Sequence, residues 1–226
     1  MIQWAERAVV SAIWTRTAES PAWIAGRLDD FARAVGQDLA ISSWDAGGMQ
    51  WSGDAASLEQ IVVANPDTSA TGERRTDDGY LVSLSGENDR VFSSITASAG
   101  DAVLGTRRPL HHLHATIQAR DVSVIDTQLG NSLVTHAVLA FDPIAAYLTT
   151  SHVNLVARRG GWKIPPAYRL WLHDTVGPIT TVAEGVTTTR LGNGTLLSVP
   201  DDWEPQQVVD ATLRTLELNG LDELPH

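Results

Sequence analysis

The chain has 226 residues, 43% hydrophobic and 19% charged, enough apolar surface for a buried core and too much for intrinsic disorder. Its formal net charge of −11 argues against a nucleic-acid or anionic-membrane binder, because both of those surfaces are polyanions. It has no cysteine, which removes disulfides, thiolate zinc sites and cysteine nucleophiles together.

Met1 to Arg7 shows no basic region leading into an apolar run, so it does not read as a signal peptide, and a cytoplasmic protein is the expectation. A first strand is predicted over Val9–Trp14. A helix follows, with Ser20 as N-cap and Pro21 at the first helical position. Its apolar face is Ile24, Leu28, Phe31 and Val35, and Gly36 ends it. Asn65 to Gly79, with Pro66, Gly72, Arg74-Arg75 and Asp77-Asp78, reads as a mobile loop. Strands are predicted over Tyr80–Leu84, Val91–Ala97 and His112–Gln118, then a second helix from about Asn131 that stops at Asp142-Pro143. The apolar run from Leu133 to Phe141 is too short to span a bilayer. Further strands are predicted over Tyr147–Val156, Tyr168–His173, Val186–Leu191 and Thr195–Val199, the last two joined by a Gly192-Asn193-Gly194 hairpin turn. A third helix follows Pro205, buries Val209, Leu213 and Leu216, and closes at Gly220 in a Schellman-like ending. Strands come in consecutive clusters. The fold expected is therefore α+β, a largely antiparallel sheet with about three main helices packed on it, as one domain over 1–226.

Few motifs carry chemistry. On a strand, His112 and His114 share a face with Thr116 and Gln118, while Leu113, Ala115 and Ile117 share the other. The histidine pair offers a metal two ligands, but no third stands at a recognisable spacing, so an exposed polar strand face is the expectation and no metal is assigned. Asp77, Asp78, Glu87 and Asp89 bracket a strand and read as solvated carboxylates, not as an acid/base pair. There is no nucleophile elbow, Walker loop, dinucleotide fingerprint or His-Glu-x-x-His, and the single lysine is Lys163. Arg158 to Lys163 reads as an exposed basic connector, or else as half of a bipolar recognition surface. Acids concentrate in residues 38–126 and 201–226, with a slightly basic stretch over 127–200 between them.

The order of elements carries more information than any one motif. Trp14 leads into a helix beginning Glu19-Ser20, and a later helix ends Phe141-Asp142-Pro143. That helix passes into Ala146-Tyr147-Leu148-Thr149-Thr150-Ser151-His152, then Gly160-Gly161-Trp162 and Tyr168-Arg169-Leu170-Trp171-Leu172. The hairpin strand Gly194–Val199 and the helix from Pro205, ending Leu218-Asn219-Gly220-Leu221, complete the chain. This succession resembles the Imm52-like immunity proteins of bacterial polymorphic toxin systems, most clearly from about residue 130 to 221. Two family marks differ: the early tryptophan-x-glycine stands here as Trp14-Thr15-Arg16, and the tyrosine-to-cysteine motif has no counterpart.

The resemblance implies a cytoplasmic antidote that binds a cognate toxin domain, with nuclease domains a known partner type. Such a protein is not an enzyme, needs no cofactor, and touches neither nucleic acid nor membrane directly. The expected partner-binding residues are Asp77, Asp78, Tyr80, Glu87 and Asp89 in the middle segment, and Asp201, Asp202, Trp203 and Glu204 towards the end. Acids suit the positive cleft of a nuclease, and tryptophan and tyrosine suit interface anchors. Two other classes compete: an adaptor in a secretion or phage-like assembly, and a small metal-dependent hydrolase using His112 and His114.

Overall fold

Between the helices, β-branched and aromatic residues recur at alternate positions, the pattern of strands that bury one face. The computed structural model describes residues 2–51, 53–68 and 78–226. Within them, ten strands form one sheet: β1 (Arg7–Ile13), β2 (Trp44–Ala46), β3 (Met49–Trp51), β4 (Tyr80–Glu87), β5 (Val91–Ala99), β6 (His112–Ala119), β7 (Ala145–Thr149), β8 (Arg169–His173), β9 (Thr187–Leu191) and β10 (Gly194–Ser198). The order is β3-β2-β4-β5-β6-β1-β7-β8-β10-β9, and every neighbouring pair is antiparallel. Five helices join them: α1 (Pro21–Leu39), α2 (Ala55–Ala64), α3 (Thr127–Phe141), α4 (Ser151–Ala157) and α5 (Pro205–Leu218). The α+β class stands, with five helices in place of about three.

Side-chain alternation decides the layers. Val82 and Leu84 of β4, Ile95 and Ala97 of β5, Leu113 and Ala115 of β6, and Val10 and Ala12 of β1 share one face by register, and all are buried. Helices α1, α2 and α3 form the layer over it: α3 packs on β1, β7 and β8, α1 on β5, and α2 on β4. Trp14 and Phe141 stack there with centroids 4.9 Å apart, and Phe31 meets Phe141 edge-on at 6.2 Å. Such pairs contribute roughly 0.5–1.5 kcal/mol beyond the area they bury.

Local signals hold at most helix ends. Ser20 caps α1, its hydroxyl accepting from Trp23 N at 3.2 Å, and Ile24, Leu28, Phe31 and Val35 are all buried. The helix runs past Gly36 to Leu39 and closes on Ala40 at φ 55. Gly36 is there because the chain returns across it: a Cβ would stand 2.8 Å from Ile41 O. Helix α3 starts earlier than Asn131, on Asp126, whose carboxylate accepts from Leu129 N at 2.7 Å. It ends on Asp142, before Pro143, as expected. Helix α5 closes as a Schellman motif, with Leu221 N donating to Leu216 O at 2.9 Å, Gly220 N to Glu217 O at 3.1 Å, and Gly220 at φ 68. Leu213 is only partly buried, whereas Val208, Val209 and Leu216 join the core.

Three local elements depart from the sequence reading. The strand expected over Tyr147–Val156 ends at Thr149, where Thr150 caps α4 by accepting from Val153 N at 3.2 Å. Leu155 and Val156 are exposed at 71% and 38%, so the apolar run that resembled a strand is a short surface helix. The β2–β3 hairpin has only three residues in each strand, and α2 is a short helix of ten residues that the sequence reading did not assign. In α2 only Leu58, Ile61 and Val62 are buried, and Asp54 caps it through Ser57 N at 2.7 Å. Most of the loop expected over 65–79 lies outside the described residues.

Candidate functional site

The register separates the expected acidic residues. Asp77 lies outside the described residues. Tyr80 and Glu87 are the two ends of β4, so Asp78 and Tyr80 stand roughly 23 Å from Glu87 and Asp89 along the strand. Glu87 and Asp89 share a sheet end with Asp201 to Glu204, but β4 and β10 are six strand spacings apart, about 29 Å. Glu87 is ion-paired to Arg120, while Asp89 is exposed in the β4–β5 turn.

The C-terminal group divides in its turn. Asp202 and Glu204 are exposed, and Glu204 begins α5, accepting from Gln3 Nε2 at 3.0 Å. Trp203 is half-buried, and its carbonyl accepts from the Tyr168 hydroxyl at 2.9 Å. Burial, with Glu204 and Asp201 nearby, pushes that phenol up to about 12. Asp201 departs from the expectation of an exposed acid, since its side chain is 9% exposed and pairs with Arg169, itself 2% exposed, at 2.8 Å. Trp4 Nε1 donates to the same carboxylate at 2.6 Å. Burial pushes the Asp201 carboxyl up, but hydrogen bonds from Arg169, Trp4 and Thr127 outweigh it and hold it below the ordinary range. Asp201 therefore ties the N-terminal segment, α3 and β8 together.

The second face of the sheet is the feature that stands out. Helices cover the first face, but over β4, β5, β6 and β1 the second carries Ser83, Thr96, His114 and Ser11 in one register row. Ser83, His114 and Gln118 are exposed, and His112 and Thr116 half-exposed, so the polar strand face expected for β6 is present. Ser83 and Thr96 hydroxyls lie 3.1 Å apart, and Ser11 Oγ lies 3.2 Å from His114 Nδ1. Tyr147 pairs with Ser11 across β1–β7 and continues the row. At one end this face sinks into a groove of about 680 Å³, with Ser11, His112, His114 and Tyr147 on its floor. Arg108, Arg159 and Lys163 also line it, as does Asp67 from the β4 side.

Two segments that stand apart in the sequence thus meet: the histidine strand and the basic connector. The connector is less free than expected. Arg159 reaches Asp222 at 2.6 Å, and Lys163 pairs with Asp222 and with Glu223 at 2.7 Å. Trp162 is buried and stacks on His226 at 4.5 Å. Arg108 is exposed and has no hydrogen-bond or ion-pair partner among the described residues. Burial lowers His112, with the neighbouring His114 and Arg108 adding to it, and burial together with Arg7 lowers His114, so the neutral form of both imidazoles is favoured. Burial raises the Tyr147 phenol. No group of three or more His, Asp or Glu among the described residues is placed to hold a metal.

His111 has a different fate from its two neighbours. It is fully buried, with Nδ1 3.1 Å from Glu19 Oε2 and Nε2 3.0 Å from Val103 O. Glu19 also accepts from Trp14 Nε1 at 2.5 Å and from Gly100 N at 2.8 Å. A carbonyl only accepts, so Nε2 carries a proton, and the three donors around Glu19 fit a carboxylate. Burial opposes both charges, yet the mutual hydrogen bond raises His111 and lowers Glu19. In the sequence Trp14 and Glu19 mark only the approach to the first helix, and nothing in the spacing joins them to His111.

The chain is thus an α+β protein with a helix layer on one face of an antiparallel sheet and an open polar groove on the other. No protein-family model matches it, and no curated protein matches it in sequence. Among solved structures it is similar to one titled "Pseudomonas aeruginosa T6SS protein PA0821", with a TM-score of 0.51 and 12% identity, over 92% of this chain and 72% of that one. At that identity the likeness shows the fold alone. No helix among the described residues is long and apolar enough to cross a membrane.

Proposed function

We propose that this chain is an immunity protein: it binds a cognate toxin domain, possessed of an activity such as a nuclease's, and blocks it by contact alone, in the cytoplasm and without a cofactor. The observation that carries the reading is the open polar face over β4, β5, β6 and β1, which has no helix of its own and ends in a groove. Support also comes from the layout shared with Imm52-like immunity proteins and from the fold shared with a protein whose title places it in a T6SS.

Co-expression decides it. If a toxin domain is encoded beside this chain, cells producing it are expected to survive only when the chain is present, and the purified pair to form a one-to-one complex. That T6SS title fits an adaptor of a secretion assembly as well. Failure to rescue, together with a stable homo-oligomer that ignores the toxin domain, selects the adaptor reading.

A further inference from the structure

We propose that the groove on the open sheet face takes a carboxylate-bearing segment of a partner polypeptide, although the protein as a whole is acidic. The proposal rests on reading the chain as a partner-binding protein and specifies the chemistry of what it binds.

The groove is built from segments remote in sequence, and its walls differ in charge. One wall presents Arg108, Arg159 and Lys163, and the β4 side presents Asp67. Arg108 is the free member: it is exposed and makes no ion pair among the described residues. Lys163 is half-used in a different sense, since its ammonium carries three donors and the carboxylates of Asp222 and Glu223 are its ion-pair partners. Those contacts show the chain's own carboxylates already seated on the cations of this wall, so the geometry accepts that group. Between the walls the floor is polar and neutral, with His114 bonded to Ser11 through Nδ1 and His112 to Leu110 O through Nδ1 at 3.1 Å. That leaves the Nε2 edge of each ring without a hydrogen-bond partner among the described residues. Such a floor hydrogen-bonds an incoming chain without adding charge.

A phosphate ligand fits less well. The net charge of −11 repels a polyphosphate chain at long range, whereas a polypeptide can present one acid to Arg108 and keep bases for the acidic surroundings. With Asp67, Asp222 and Glu223 against Arg108, Arg159 and Lys163, the groove is locally balanced in charge within an acidic protein. It fixes the register of a docking partner more than its affinity.

The test uses the whole chain and two labelled probes, a hexaglutamate and a hexalysine peptide, followed by fluorescence anisotropy at low salt. The glutamate peptide is expected to bind, about tenfold more weakly to Arg108→Glu and a few-fold more tightly to Asp67→Asn. Arg108 is exposed and has no ion-pair partner among the described residues, so an unchanged thermal melt will show that Arg108→Glu is folded. Equal binding by Arg108→Glu, tighter binding of the lysine peptide, absence of glutamate-peptide binding at millimolar concentration, or displacement by an equal concentration of inorganic phosphate each overturns the proposal. No toxin enters this experiment. Its failure leaves the immunity reading standing, and a failed rescue by co-expression leaves a positive peptide result in place.

Discussion

Arg169 spans three parts of the molecule: Nε donates to Asn131 Oδ1 at 2.7 Å, Nη1 to Val199 O at 3.1 Å, and Nη2 to Asp201 Oδ2 at 2.9 Å. Both partners of the ion pair are shielded from water, so removing one strands the other charge. Arg169→Met is expected to lower unfolding stability by about 3–5 kcal/mol, measured from urea midpoints. Asp201→Asn keeps an acceptor for Trp4 but also strands the Arg169 charge, so a comparable loss is expected, and a much smaller one would show that the charge is not what matters. The Glu19–His111 pair predicts a pH dependence. Glu19 is lowered from 4.5, so its contribution is complete above that value and is lost as pH falls through the folded value. His111 is raised from 6.5, so its contribution is complete below that value and is lost as pH rises through the folded one. Thermal melts should show the largest gap between wild type and Glu19→Gln from about pH 4.5 to 6.5. A gap independent of pH would mean the pair is not ionic.

Helix ends are where single residues decide whole elements. Ser20→Ala removes the acceptor for Trp23 N and is expected to cost about 1 kcal/mol. Gly220→Ala must hold φ 68 with a Cβ, and a similar loss of about 1 kcal/mol is expected from chemical denaturation. A neutral result at either position would mean that tertiary contacts, not the cap, fix that end. Sequence reading succeeded at these ends because a cap is a contact within three or four residues. It failed at α4 because Thr149, Thr150, Val153 and Val156 have strand-like side chains, and only the capping bond from Val153 N to Thr150 turns the chain into a helix. Intrinsic preference is weak there, and burial of Val153 adds to the cap.

Across the whole molecule, the acidic residues expected to meet the partner do not form one patch. Asp78 and Tyr80 stand at the groove end of the sheet, Glu87 and Asp89 at the other, and Asp202 and Glu204 beyond β10. Dispersed exposed acids act on encounter more than on the docked state. Charge reversal of Asp202 and Glu204, or of Glu87 and Asp89, is expected to slow association with the toxin domain by up to about tenfold and to flatten its salt dependence, with dissociation unchanged. Stopped-flow rates at two ionic strengths check this. A change confined to dissociation would place those residues inside the interface.

The class of fold, eight of the ten strands, the start of α1 and the close of α5 were legible because alternation and capping are properties of neighbouring residues. So was the sidedness of β6, since Leu113, Ala115 and Ile117 could face only a core. The site was not legible. Ser11 meets His114 across 103 positions and Glu19 meets His111 across 92, and only strand order brings such pairs together. Burial likewise separated residues of one type: His111 became the core partner of Glu19, His112 and His114 a groove floor, and Asp201 a structural tie while Asp202 stayed in water. The sequence by itself determined which segments bury a face. The tertiary structure decided which faces stay open and what charge they carry, because a side chain's environment is set by elements that pack on it from far along the chain.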